Sequence, residues 1–256
     1  HDWAIKNIPL DFRINTLGTL NLLQLFKKYC PKSSFVQIST NKVYGDSPNK
    51  LNLIEKKTRF DVMSNSKYFK GINTNMTIDN SVHSFFGVSK CSADLLTQEF
   101  GKNLGLNTVV FRLGCITGPG HSGAVMHGFL SYLVKCNILN KKYQIYGYKG
   151  KQVRDNIHSY DLVSAIWEYY KNPKQGEIYN LGGGRKNSCS VLEAIKKVED
   201  LTKKKFKFEI LKKNRTGDHI WYITDNSKFI KDYKNWKLKK SLNNILVDII
   251  ESEKAK

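Results

Sequence analysis

Apolar residues recur at helical spacing between Asp11 and Tyr29, at Phe12, Leu17, Leu20, Leu22, Leu23 and Phe26, and the pattern stops at Cys30-Pro31. A short apolar, β-rich run follows, Ser34-Phe-Val-Gln-Ile-Ser39, bounded by turn formers. A helix feeding a buried strand through a short turn is half of a parallel, doubly wound unit. Ser84 to Asn103 is helical again, with Val88, Leu95, Leu96 and Phe100 on one side, and Asn107-Thr-Val-Val-Phe-Arg112 is the next strand. Between the two units, from Asn41 to about Ser81, the chain is polar and irregular, as a lid or site wall is.

After Arg112 the pattern changes. A Gly-rich stretch from Gly114 to Gly123 leads into an apolar helix, His127 to Leu139. Gln152 to Ile157 reads as a strand, Tyr160 to Lys171 as a helix opened by Ser159, and Glu177 to Leu181 as a strand closing in Gly182-Gly183-Gly184. Ser190 to Thr202 and Leu242 to Lys254 read as helices with a strand, Lys207 to Leu211, between them. The alternation predicts an α/β protein: a Rossmann-like doubly wound parallel sheet with a smaller α/β substrate-binding lobe. The sheet lobe is expected at residues 1–112 plus about 156–181, and the second lobe at 113–155 plus about 182–256.

With 256 residues, 40% of them hydrophobic, the chain can build a substantial core. No run reaches the roughly 18 to 20 apolar residues of a membrane span, and no signal peptide is visible at HDWAIKNIPLDF. The net charge of +20 invites a nucleic-acid partner, but only six of the 42 basic residues are Arg, the residue that base and bidentate phosphate recognition favours. The lysines are also scattered, with one dense stretch at Lys203, Lys204, Lys205 and Lys207. A solvated lysine surface is the expectation, with no nucleic-acid and no membrane partner. Five cysteines without a CxxC pair or Cys/His cluster predict reduced thiols in a cytoplasmic protein and no metal site.

In open α/β sheets ligands bind beyond the carboxyl ends of strands. Ser39, Thr40, Asn41 and Tyr44 follow the first strand, and Arg112, Cys115 and Thr117 close or follow the next. On the intervening helix Lys90 lies one turn beyond Phe86, on the same face. Taken singly, each of these residues is as well explained by a turn, a cap or a surface position.

Their order is more informative. Ile38-Ser-Thr-Asn-Lys-Val-Tyr-Gly45, Gly87-Val-Ser-Lys90, Phe111-Arg-Leu-Gly-Cys-Ile-Thr-Gly-Pro119, Arg154-Asp-Asn-Ile-His158 with Asp161, Tyr179-Asn-Leu-Gly-Gly183 and Arg215-Thr-Gly-Asp218 together resemble the extended short-chain dehydrogenase/reductase family. That family contains the nucleotide-sugar epimerases and dehydratases. The resemblance runs from Asp2 to about Trp236. Within it, the segments 1–4, 39–46, 118–123, 127–132 and 147–155 look most like epimerases that invert C2 of a CDP-linked dideoxyhexose.

The resemblance implies NAD as cofactor, hydride taken from a sugar carbon and returned to the other face, and a nucleotide-sugar substrate in polysaccharide biosynthesis. Thr40 matches the Ser/Thr that bonds a sugar hydroxyl. Lys90 matches the lysine at the nicotinamide ribose, and Ser39, Arg112 and Cys115 fall at its cofactor-side positions. Asn41, Thr117, His121, Ser122, Arg154 and Arg215 match substrate-side positions, the two arginines suiting a diphosphate. Asn15 falls at a structural Asn. Relatives pair the helices at 12–30 and 84–103, so a homodimer or homotetramer is implied. Other readings are a 4-epimerase, dehydratase or reductase of the same family, or a nucleotide-sugar-binding homologue with impaired chemistry.

Three departures stand out. The family's YxxxK tyrosine is Phe86, which cannot exchange a proton, and general acid–base catalysis is worth about two to four powers of ten. His83, three residues earlier, is the replacement the spacing suggests, with Tyr44 behind it. Asn73 and Thr74 stand where relatives carry an acidic pair. The family's glycine-rich dinucleotide turn is expected upstream of His1, so the natural polypeptide is expected to be longer at its N-terminus.

Overall fold

The structure, a computed structural model, describes residues 2–124, 127–215 and 217–256; His1 and Thr216 of the motifs above lie outside the described residues. Its central element is a three-stranded parallel sheet in the order Phe35–Thr40, Thr108–Leu113, Glu177–Leu181. Every residue of the middle strand is buried, so its centre runs Val109-Val-Phe111 without polar alternation and its polar members, Thr108 and Arg112, are bonded internally to Thr97 O and Asp94. Phe111 meets Tyr169, Tyr179 and Phe229 at ring-centroid distances of 6.3, 6.2 and 5.6 Å, and the layer beneath is closed by Leu162, Tyr233 and Trp236.

The strand expected near residue 152 is present as Val153–His158, but in a different sheet. It pairs in parallel with Trp221–Tyr222 and Cys115–Thr117, and antiparallel with Ser188–Ser190. The chain leaves the central sheet at Gly114, where an added Cβ would lie 3.1 Å from Asp155 Oδ1, and enters the second sheet one residue later. Tyr143–Tyr146 with Phe208–Leu211 makes a two-stranded parallel pair beside it. Helices Phe129–Ile138, Val191–Thr202 and Leu242–Lys254 pack around Leu133, Ile145, Ala194 and Leu246 as a separate apolar cluster. Ser190 opens its helix with a reciprocal capping pair to Glu193.

The first helix is longer than its periodicity predicts. Helical turns begin at Asp2 and run to Tyr29, with a π-turn at Arg13–Leu17. The wider turn sets Asn15 and Thr16 against helix Phe85–Lys102, where Asn15 Nδ2 donates to Ser89 Oγ (3.1 Å) and Thr16 Oγ1 to Ser89 O (2.9 Å).

The polar stretch from 41 to 81 is more ordered than expected. It holds two 3₁₀ turns and an antiparallel pair, Leu53–Glu55 with Phe60–Val62. Arg185 grips Asp61 through two 3.0 Å bonds, and Arg59 reaches Glu193 and Ser188. These are long-range contacts between polar side chains, invisible to a periodicity reading. They make the stretch a fixed wall.

Candidate functional site

The carboxyl end of Phe35–Thr40 runs into a 3₁₀ turn, Asn41–Tyr44, because Thr40 Oγ1 accepts the Lys42 backbone N–H (3.2 Å). That turn sits on the N-terminus of helix Phe85–Lys102, which Ser84 caps by accepting from Gly87 N (3.1 Å). A Cβ on Gly87 would lie 2.9 Å from Lys42 O, so glycine lets the helix approach the turn. Lys90 Nζ donates to Ile38 O (2.9 Å) at the same strand end, and burial lowers its pKa against the pull of Asp94 and Asp11. Thr40, Lys90 and the Phe86 position are thus gathered where the strand ends.

Several expected residues serve the interior. Arg112, read as cofactor-facing, is buried: Nε and one terminal nitrogen hold Asp94 at 2.9 and 3.0 Å, and the other donates to Tyr44 OH (3.2 Å). Ser39 Oγ donates to the same Asp94 (2.8 Å). Tyr44 OH donates to Asn180 Oδ1 (2.7 Å), and burial raises its pKa despite the neighbouring Arg112. His83 has both ring nitrogens at backbone carbonyls, Nδ1 at Ser81 O (3.1 Å) and Nε2 at Val43 O (2.8 Å). Asn73 makes a local turn by accepting from Asn75 N, and Thr74 beside it is half-buried.

On the opposite side, Asn41 is buried in the turn, and Thr117 Oγ1 lies 3.3 Å from Ser131 Oγ, which in turn lies 3.3 Å from His121 Nδ1. Burial and then the facing His127 lower the His121 pKa. Ser122 is exposed. The string Gly118-Pro-Gly-His-Ser-Gly123 has G-x-G-x-x-G spacing, yet the helix after it starts only at Phe129, so its glycines do not open a helix behind a strand.

A cavity of about 290 Å³ opens beside the Asn41–Tyr44 turn, lined by Lys42, Gly45, Asp46, Asn49, Val82, Ser84, Tyr148, Arg215, Gly217 and Asp218. Of the residues expected at a site only Arg215 is on this wall; Arg154 stands behind it, bonded to Asp218, His219 O and Val153 O. Burial alone would raise the Asp218 pKa, but Arg154, Lys42 and Arg215 outweigh it and hold the carboxyl at about 2. Lys42 is the residue the sequence reading passed over. Its Nζ donates to Gly217 O (2.8 Å) and lies 4.0 Å from Asp218, and burial with Arg154 lowers its pKa to about 8. Cys115 lies in the field of the same charges, with burial pushing its thiol to about 11.

Tyr148 also borders a second cavity, of about 440 Å³, with Phe60, Gly147, Lys149, Ile210, Leu211, Lys212 and Asn214. Tyr148 and Lys149 both have left-handed backbones, φ 50° and 54°, a conformation that non-glycine residues hold only where their surroundings enforce it. Lys42, Arg154 and Arg215 surround Asp218, and the second carboxylate of the wall, Asp46, is paired with Lys50 (3.2 Å), so cations outnumber carboxylates around the cavity, which suits an anion.

The family description "NAD dependent epimerase/dehydratase family" matches residues 1–182. The chain belongs to that family. Among curated members, CDP-paratose 2-epimerase of Salmonella typhi is 34% identical over 233 residues, covering 88% of this chain and 66% of its own length. A dTDP-glucose 4,6-dehydratase of Escherichia coli is 30% identical over 246 residues, covering 88% of this chain and 62% of its own. The chain therefore spans less than two thirds of these relatives. Among solved structures, dTDP-glucose 4,6-dehydratase from Bacillus anthracis in complex with NAD superposes with TM-score 0.73 at 25% identity, over 96% of this chain and 69% of that one. UDP-glucuronic acid 4-epimerase from Bacillus cereus, in complex with UDP-glucuronic acid and NAD, gives TM-score 0.71 at 23% identity over 94% and 67%. The Rossmann-like α/β fold read from the alternation of helices and strands is the fold of this family. Among the described residues no helix is long and apolar enough to cross a membrane, and no cluster of three or more His, Cys, Asp or Glu could hold a metal.

Proposed function

We propose that the protein is an NAD-dependent nucleotide-sugar epimerase that inverts C2 of a CDP-linked dideoxyhexose, interconverting CDP-paratose and CDP-tyvelose. The observation that carries this reading is the junction at the Asn41–Tyr44 turn. On one side lie Thr40 and Lys90, at the end of a parallel strand, and on the other a polar, charged cavity bearing Lys42 and Arg215. A sugar diphosphate placed there puts its hydroxyls toward Thr40 and its phosphates toward Arg215 and Lys42. Its nucleoside would extend past Tyr148 into the neighbouring cavity.

The strand end fits the nicotinamide half of the cofactor. Lys90 uses one donor on Ile38 O, and an ammonium has three, so the others are available to ribose hydroxyls. NAD, when bound, supplies a reversible hydride acceptor. This chain's part is to orient the sugar through Thr40, to hold the phosphates and to move the hydroxyl proton. Cys115, where the chain enters the second sheet, is assigned to the cofactor side, and Thr117, in contact with Ser131 and through it His121, is assigned with Asn41, His121, Ser122 and Arg154 to the substrate side. Arg112 and Ser39 contribute by fixing Asp94 and Tyr44 beneath the strand end.

Exposed Leu22, Leu25 and Leu95 on the helices Gly18–Tyr29 and Phe85–Lys102 support a homodimer or homotetramer. Five free thiols accord with a reducing cytoplasm. The test has two parts. The natural full-length protein, purified without added ligand and acid-extracted, releases NAD identifiable by mass spectrometry, and incubation with CDP-paratose yields the C2 epimer by NMR. Bound NAD with no epimerisation of any CDP-sugar would move the reading to another reaction of the family. A cytidine ligand without NAD would point to a binding homologue.

A further inference from the structure

Helix Ser159–Lys171 buries Leu162, Ala165 and Tyr169 against the central sheet. Its other side carries Tyr160, Val163, Trp167 and Tyr170, spaced i, i+3, i+7 and i+10 and so in one line, and these are 49, 63, 58 and 59% exposed. Trp167 and Tyr170 stack on each other, with ring centroids 5.3 Å apart. The segment 233–239 runs beside the helix. Tyr233 OH donates to Asn172 O (3.1 Å), Trp236 Nε1 donates to Asp161 O (3.1 Å), and the Lys239 amine lies 5.5 Å from the centre of the Tyr160 ring. The segment thereby brings Lys234, Lys237 and Lys239, all exposed, alongside the helix that bears the aromatic line. Carboxylates of the same elements are engaged elsewhere: Glu168 with Lys171 (2.7 Å), Asp232 with Lys174 (2.7 Å), and the buried Asp161 with the backbone N–H groups of Lys239 and Lys240.

We propose that this face docks on an anionic lipid bilayer, its rings entering the headgroup layer and its lysines meeting the lipid phosphates. The side chains select that occupant. Trp and Tyr, apolar rings with one polar atom, are the residues that settle at a membrane–water boundary. The lysines complement a negative surface, whereas a second copy of this chain would set the same lysines against them, and lysine is depleted from protein–protein interfaces. Nucleic acid is disfavoured because the cations of the face are all lysine. The sequence predicts no membrane partner because it holds no apolar run long enough to span a bilayer. This surface is one-sided and assembled from two separate segments, so no run marks it. Contact of this kind is reversible and sensitive to salt.

The natural full-length protein is to be floated with vesicles of phosphatidylcholine alone and of phosphatidylcholine containing about 30% phosphatidylglycerol. Wild type is expected to rise with the anionic vesicles only, and its partition coefficient to fall about tenfold or more between about 0.05 and 0.5 M salt. Trp167→Ala combined with Tyr170→Ala should lower partition about tenfold at an unchanged melting temperature, because both rings are exposed. Lys234→Gln, Lys237→Gln and Lys239→Gln together should lower it about 10- to 100-fold and flatten the salt dependence.

With a net charge of +20, general attraction is the competing explanation. The control is therefore an equal change of charge after helix Val191–Thr202, Lys203→Gln with Lys204→Gln and Lys205→Gln, which should leave partition within about threefold. Equal losses in the control and in the lysine variant of the face overturn the proposal, and so does a wild type that rises with neither vesicle. A lower mass by light scattering for the aromatic variant than for wild type, without lipid, would assign the face to a second copy of this chain and also overturn it. Should the aromatic variant not fold, the lysine variant against its control still decides.

Discussion

Arg112 and Asp94 form a buried, two-bond ion pair, at 2.9 and 3.0 Å, that ties the middle strand of the central sheet to helix Phe85–Lys102. Neither side chain is more than 4% exposed. Asp94 also receives Ser39, and Arg112 also reaches Tyr44, so the pair fixes the base of the turn that carries Thr40 and Lys42. Removing one partner leaves a buried charge without its counter-ion, which costs about 3 to 5 kcal/mol. Asp94→Ala and Arg112→Ala are each expected to destabilise by that amount in urea titrations. The double variant should fall well short of the sum.

Asp218 predicts an acid limit to stability. Its folded-state pKa, near 2, lies below the ordinary 3.8, so the carboxylate stabilises the fold above pH 4 and loses that contribution as pH falls from about 4 to 2. The shift corresponds to about 2 kcal/mol. Asp218→Asn should flatten the acid limb of a plot of unfolding free energy against pH over that interval. An unchanged slope would show that its neighbours are not paired with it in solution.

Two glycines separate close packing from open space. A Cβ at Gly183 would lie 2.0 Å from Asn156 O, a backbone atom of the strand Val153–His158, whereas at Gly120 it would meet nothing within 4 Å. Gly183→Ala should cost about 1 to 3 kcal/mol or prevent folding, and Gly120→Ala should change stability by less than about 0.5 kcal/mol. Thermal melts of the two variants side by side make the comparison.

Arg215→Gln tests the anionic end of the cavity. Loss of a charge-assisted bond to phosphate is expected to raise the Kd for CDP by about 10- to 100-fold and to reduce its salt dependence. Calorimetry at two ionic strengths reads both effects. The NAD content of the protein should not change, since Arg215 lines a cavity that Lys90, bonded to Ile38 O, does not.

Much of the fold was legible because its signals are local. The apolar runs at 35–39 and 108–112 and the helices flanking them follow from periodicity alone, and Ser84, Ser190 and Ser241 mark helix starts by capping chemistry that reads over three residues. Strands of two or three residues, such as Cys115–Thr117 and Trp221–Tyr222, carry no such periodicity and form only because Val153–His158 runs beside them. The ordered wall from 41 to 62 escaped notice for the same reason, since Arg185–Asp61 and Arg59–Glu193 join residues more than a hundred positions apart.

The candidate site divides along the same line. Sequence alone determined the family, the alternation that makes a Rossmann-like sheet, and the absence of a proton donor at Phe86, because each depends on residue identity at fixed short spacing. Only the tertiary structure decided which polar groups face a cavity. Arg112 and Lys42 both stand in the neighbourhood of strand ends and look equally available on paper. Folding buries one against Asp94 and places the other's amine beside Arg154, Arg215 and Asp218, residues that lie 112 to 176 positions away in the chain. A side chain's charge, partners and readiness to exchange a proton are properties of that assembled surrounding, where burial and neighbouring charges set the free energy of its ionised form.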